Sequence, residues 1–172
     1  GGGGRRVGAR GGRGGRGGGW WWGVGWSAGA GAGVAVGCAG WLVGGRKAVA
    51  GGWGDNPLPG PRDDGRPGTA CFCGQSGCIE TWLSGPGLAR DYRDQGGTEC
   101  ESTQAIVTGA LQRRPGCEAT PARYEDRLAR ALAHVVNLVD PALLVPAGGL
   151  ANAERAHPPV PGMWTPGVLP HR

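Results

Sequence analysis

The chain has 172 residues, 39 of them glycine, and a formal net charge of +5. Glycine at that density without a collagen period, beside only 6% aromatic residues, argues against a uniformly packed domain of this length, because glycine loses more backbone entropy on ordering than any other residue. No apolar run approaches the roughly 20 residues of a membrane span, and the start lacks the basic, apolar, small-residue order of a secretory signal.

Residues 1–26 read as a low-complexity Gly/Arg/Trp-rich tail with disorder as the expectation. Three consecutive Arg-Gly-Gly triplets start at Arg10, Arg13 and Arg16, and much of the charge excess lies here. Such a run can bind RNA by charge and guanidinium stacking. A solvated tail, or a translated GC-rich stretch, is the preferred reading, so nucleic acid is not the expected partner. Residues 27–43 alternate small and apolar positions with glycine, as in a strand, a tight turn and a second strand. Gly29, Gly31 and Gly33 would present N–H groups to a phosphate there. Plain low complexity explains those glycines equally well.

Residues 53–68 read as an ordered loop, since Pro57, Pro59, Pro61 and Pro67 forbid a helix. Helical stretches follow at 79–84 and 88–93, on either side of a Gly85-Pro86-Gly87 break, and at 102–114. The strongest helix runs over 121–139, with Thr120 as N-cap, Pro121 at the first helical position and Leu128, Leu132, Val135 and Val139 on a 3.6-residue period. Asp140-Pro141 stops it. Residues 142–145 predict a short buried strand between Pro141 and Pro146, and Gly148 and Gly149 a turn where backbone can approach a ligand. A Pro-rich irregular tail occupies 156–172, leaving 27–155 as the folded part.

Cys71, Cys73 and Cys78 crowd into eight residues, with Gly74 and Gly77 between them for tight turns. Thiolates delivered to one point suit structural zinc, and suit a reducing cytoplasm better than a secreted disulfide framework. Asp55 is the upstream candidate for a fourth ligand, because all three histidines lie far downstream. Free or buried thiols are the alternative. Glu80 follows the cluster by two residues. It could accept hydrogen bonds from vicinal sugar hydroxyls, or simply be a solvated carboxylate favoured by a helix N-terminus.

Taken together, Gly51-Gly52-Trp53-Gly54-Asp55-Asn56-Pro57-Leu58-Pro59, the cysteine cluster, Gly77-Cys78-Ile79-Glu80-Thr81-Trp82-Leu83-Ser84-Gly85, and Asn137-Leu138-Val139-Asp140-Pro141 ahead of Gly148-Gly149-Leu150 resemble the ROK family of sugar kinases and sugar-responsive repressors. Within it, the Asn-Pro-Leu-Pro loop and the Cys-Ile-Glu-Thr run are most similar to fructokinases of the mannose/fructose type. The resemblance implies an α/β, actin-like, hexokinase-type ATPase fold. It implies phosphorylation of a hexose, fructose or a related sugar, by ATP with magnesium, in a protein that is a homodimer when intact.

The resemblance also implies site roles. Cys71, Cys73 and Cys78 match zinc thiolates, Glu80 a sugar-contacting Glu, Asp55 and Asn56 the sugar loop, Gly29, Gly31 and Gly33 a phosphate turn, and Gly148 and Gly149 a turn near adenosine. Departures accompany it. Asp55 stands where the family has His, Gly52 where it has Glu, and Ala30 where it has Thr, while Pro146 and Ala147 break an expected strand. The sequence holds neither an Asp-x-Gly-x-Thr phosphate loop nor an Asn-Asp-Ala-Asn segment with its general-base Asp. The expectation is therefore a truncated or frame-disrupted piece of a fructokinase-like protein, inactive alone. A fragment of a sugar-responsive repressor, or an RNA-binding protein acting through the tail, are the rivals.

Overall fold

Glycine-rich as it is, the segment after residue 21 places Trp22, Val24 and Trp26, and then Ala32, Val34 and Val36, two residues apart within extended runs, the period of a pleated strand. The computed structural model describes residues 22–28, 32–38, 41–42, 46–47, 49, 51–60, 62–100 and 102–147. In it this segment forms β1 (Trp22–Ala28) and β2 (Ala32–Cys38), antiparallel, with Val24 opposite Val36 and Trp26 opposite Val34. A short β3 (Trp41–Leu42) adds to β2, and β4 (Leu143–Ala147) lies parallel to β1 with Gly23 level with Leu143. The sheet order is β3-β2-β1-β4.

Trp22–Trp26, which composition assigns to the tail, belong to β1, because strands on both sides satisfy a backbone that glycine alone would leave unordered. Pro146 and Ala147 continue β4 instead of interrupting it. Among the described strands β4 is an edge, which needs N–H pairing on one side only and so tolerates proline. The same edge position leaves Leu143 and Val145 exposed rather than buried.

Four helices follow the loops: α1 (Ile79–Leu83), α2 (Gly85–Asp94), α3 (Thr103–Leu111) and α4 (Ala119–Val139). Gly85-Pro86-Gly87 is not a break but the first turn of α2. Ser84 Oγ accepts from the Gly87 N–H at 3.1 Å, and Pro86 occupies a position whose N–H needs no helical partner. Ser102 caps α3 in the same way through the Ala105 N–H.

Thr120 does not cap α4. Glu118 already has helical angles, and Thr120 lies inside the first turn, buried, with Oγ1 accepting from Arg123 Nη2 at 3.1 Å. The helix ends as expected at Asp140, in a left-handed conformation with φ 43°, whose N–H returns to the Val136 carbonyl.

Ile79 and Leu83 of α1, Ile106 of α3, Leu128 and Leu132 of α4 and Val24 of β1 meet in one core. Asp91 of α2 is buried beside it and receives Arg123 and Arg127 of α4 at 2.8 and 2.9 Å, while the Arg127 guanidinium lies 4.3 Å over the Trp82 ring. A buried carboxylate with two guanidinium partners avoids the desolvation cost of an unpaired one. Among the described residues, no helix is long and apolar enough to cross a membrane.

Candidate substrate and metal site

Residues 51–58 reach the site by lying directly on β2. Gly51 has φ +101°, and a Cβ there would collide with the Val34 carbonyl, whose own N–H donates to the Gly51 carbonyl at 3.3 Å. A single 3-10 turn, Gly52–Asp55, follows. A Cβ at Gly54 would collide with the Ala32 carbonyl and lie 3.2 Å from Glu80 Oε2. Only glycine therefore lets β2, this turn and the Glu80 carboxylate stack together. Trp53 anchors the turn in the core, and its Nε1 has no partner among the described residues.

Two backbone bonds then fasten this loop to the start of α1. The Leu58 N–H donates to the Gly77 carbonyl at 3.0 Å and the Ile79 N–H to the Asn56 carbonyl at 2.8 Å, with Pro57 bridged to Cys78. Asp55 and Asn56, both exposed, and the half-buried Glu80 are thereby carried on adjacent, mutually fixed segments. On the far side of the loop, Arg130 of α4 donates to the carbonyls of Pro59 at 2.8 Å and Gly60 at 2.6 Å. Arg130 also pairs with Asp126 at 3.0 Å.

The cysteine segment is a knuckle. Ala70 bridges to Ser76, the Cys71 N–H donates to the Gln75 carbonyl at 2.7 Å, and Gly74 and Gly77 take φ +89° and +71°. The three sulfurs lie within 4.8 Å of one another, and Cys73 Sγ is 3.5 Å from Cys78 Sγ. A backbone hydrogen bond from Gln75 draws the Cys73 thiol below its ordinary pKa against the opposing push of burial and the smaller one of the Asp55 charge. Burial, reinforced by its two sulfur neighbours, pushes Cys78 up to about 12.

Three thiols converging on one point fit a tetrahedral divalent cation, which would take up the charge that burial resists. Among the described residues no carboxylate or imidazole joins the three within that distance. Asp55 is close enough to act on Cys73 by charge but does not complete the cluster.

Of the expected phosphate-turn glycines, Gly33 is in β2, where an added Cβ would lie 3.5 Å from the Gly51 carbonyl. Gly29 and Gly31, like Gly148 and Gly149, lie outside the described residues. Sequence reasoning missed Gly54 and Arg130. Gly54 gave no signal beyond a tight turn, and Arg130 meets Pro59 and Gly60 only through the tertiary fold.

Comparison with known proteins shows the family and the fold. The family model described as "ROK family" matches residues 23–169. The N-acetyl-D-glucosamine kinase of Salmonella typhi is 45% identical over 87 residues, covering 48% of this chain and 27% of the relative. That of Salmonella arizonae is 40% identical over 82 residues, again 27% of its length, so the chain spans about a quarter of the curated relatives it matches.

Among solved structures, a ROK family glucokinase from Streptomyces griseus in complex with glucose and AMPPNP superposes with a TM-score of 0.74 at 23% identity, over 89% of this chain and 54% of that one. A ROK hexokinase from Thermus thermophilus gives 0.66 at 25%, over 87% and 47%. A ROK family transcriptional regulator, homologous to the Escherichia coli MLC protein, gives 0.72 at 24%, over 87% and 39%.

Proposed function

This chain belongs to the ROK family, and on that premise we propose that it is the sugar-binding and metal-bearing part of a hexose kinase that uses ATP and magnesium. The observation that carries the proposal is the stack of β2, Gly54 and Glu80. It puts a carboxylate acceptor and the exposed Asn56 amide on fixed neighbouring segments beside the strand that follows the expected phosphate turn. Vicinal sugar hydroxyls present paired donors that a single carboxylate can accept. Gly33, with Gly29 and Gly31 before it, is the backbone assigned to phosphate, and Gly148 and Gly149 that assigned to adenosine.

Cys71, Cys73 and Cys78 would hold zinc, and Asp55, which lies outside the sulfur cluster, would move in as the weaker fourth ligand. Zinc there supplies no chemistry to the transfer. It fixes the knuckle against the loop of Asp55 and Asn56. Phosphoryl transfer needs positioning, charge stabilisation and a residue that orients or deprotonates the nucleophile. The Asn-Asp-Ala-Asn segment to whose Asp the resemblance assigns the last role does not occur in the sequence, so binding without turnover is the expected behaviour of the chain alone. The Asn56-Pro57-Leu58-Pro59 loop favours fructose as the hexose. A cytoplasmic homodimer is the assembly in which the complete site would work.

Calorimetric titration of the zinc-loaded chain with fructose, glucose and N-acetyl-D-glucosamine tests this reading. Fructose should bind most tightly. Glu80→Gln should weaken it by about tenfold to a hundredfold, the worth of a charged hydrogen bond. Equal binding by the Glu80→Gln variant would remove Glu80 from the site, and preference for another hexose would remove fructose.

The likeness to a transcriptional regulator keeps a sugar sensor as a second reading. It predicts the same hexose binding through Glu80, within a longer protein that binds DNA, and no phosphorylation when the missing parts are supplied.

A further inference from the structure

Two cysteines outside the knuckle meet each other. Cys100 lies in the connection between α2 and α3, and Cys117 in the connection between α3 and α4. Both are free and buried, 7% and 0% exposed, with their sulfurs 3.5 Å apart. The surroundings are shaped to them. A Cβ at Gly109 of α3 would lie 2.8 Å from Cys117 Sγ, so only glycine admits the thiol there. On the other side the Tyr92 hydroxyl of α2 accepts from Cys117 Sγ at 4.0 Å. A Cβ at Gly97 would run into the Tyr92 ring. Each connection turns at a glycine of positive φ, Gly96 at +83° and Gly116 at +82°. Sulfurs at this separation need close by only roughly 1.5 Å to reach bonding distance.

We infer that Cys100 and Cys117 form an oxidative modification site, at which hydrogen peroxide converts the dithiol to a disulfide that clips the two ends of α3 together. The Cys100 sulfur, nearer the surface, attacks one peroxide oxygen. The O–O bond breaks, leaving Cys100 as sulfenic acid and releasing one water. The Cys117 sulfur then attacks the Cys100 sulfur. The S–S bond forms, the S–O bond breaks, and the hydroxyl leaves as a second water with the Cys117 proton. Two thiols and one peroxide give one disulfide and two waters, and the sulfur pair supplies the two electrons that reduce the peroxide. Proximity decides the outcome. A sulfenic acid with a thiol at this distance condenses to a disulfide before further oxidation. The site shares no residue with the candidate sugar and metal site.

The full chain, saturated with zinc, is treated with hydrogen peroxide, alkylated in denaturant, digested without reduction and mapped by mass spectrometry. A peptide pair joined through Cys100 and Cys117 is expected. Closing a loop of this size should also raise the melting temperature by roughly 5–15 °C, reversibly with dithiothreitol. Cys117→Ser should lose both the link and the rise. Cys100 recovered as sulfinic acid, as a free thiol or joined to a knuckle cysteine overturns the inference. So does a link with no thermal shift, or a shift that survives Cys117→Ser. Should that variant not fold, the peptide map and melting of the unaltered chain decide alone.

Discussion

A carboxylate at position 55 changes what the knuckle can hold. It opposes thiolate formation at Cys73, where an imidazole would be neutral, and it offers zinc a harder oxygen donor beside three soft sulfurs. Replacing it with the residue the ROK resemblance places there should strengthen the site. Asp55→His should hold zinc against a competing chelator on the order of tenfold more tightly, read by colorimetric zinc release. Equal retention would mean that Asp55 is not the weak ligand. At this scale the sequence was legible where the chemistry is local: Cys71, Cys73 and Cys78 sit within one knuckle, and the sulfurs do converge. It was illegible where a residue matters through its absent side chain. Gly54 among so many glycines carries no mark of its stack with Glu80.

Beyond β2, the loop of residues 55–60 is held by the start of α1 through backbone pairing and by α4 through Arg130. The second hold is a side chain that ties Pro59 and Gly60 to a rigid helix and is itself oriented by Asp126. Arg130→Met keeps the apolar stem and removes these bonds. It should cost about 1–2 kcal/mol in urea unfolding and weaken hexose binding while leaving zinc content unchanged. Loss of zinc instead would show that α4 supports the knuckle and not the loop. The helix α4 was well marked, because it repeats its apolar residues at helical spacing, whereas Ser84 and Ser102, which cap α2 and α3, were read as residues within helices. Thr120 misled because a threonine before a proline looks like a cap whether its oxygen faces the helix end or, as here, Arg123. Pro146 misled because whether a strand lies at an edge is a property of the sheet, invisible along the strand.

Across the molecule, several acidic protons are buried in the helical layer. Burial raises the pKa of Cys117 above its ordinary 9.0, and it raises those of Tyr92 and Tyr124 as well. Each group keeps its proton longer folded than unfolded. Its contribution is therefore fully present below the unfolded pKa and is lost as pH rises through the folded one. Thermal stability of the reduced chain should hold through neutral pH and fall progressively above about pH 9. A melting temperature flat into the strongly alkaline range would contradict this burial. Hexokinase-type likeness was readable from the order of the motifs along the chain, and the ROK family model matches residues 23–169. The pairing of Cys100 with Cys117 was not, since each cysteine alone looks like any small buried residue.

The parallel partnership of β1 and β4 has a consequence for how the chain is made. During synthesis β1 and β2 leave the ribosome before the four described helices, while the other neighbour of β1 follows them in the chain. The four helices can consolidate in the interval through contacts between neighbours in sequence. Until Leu143–Ala147 arrives, the β1 side of the pair remains open to wrong strands, so the last of the described strands is the one that ends this exposure.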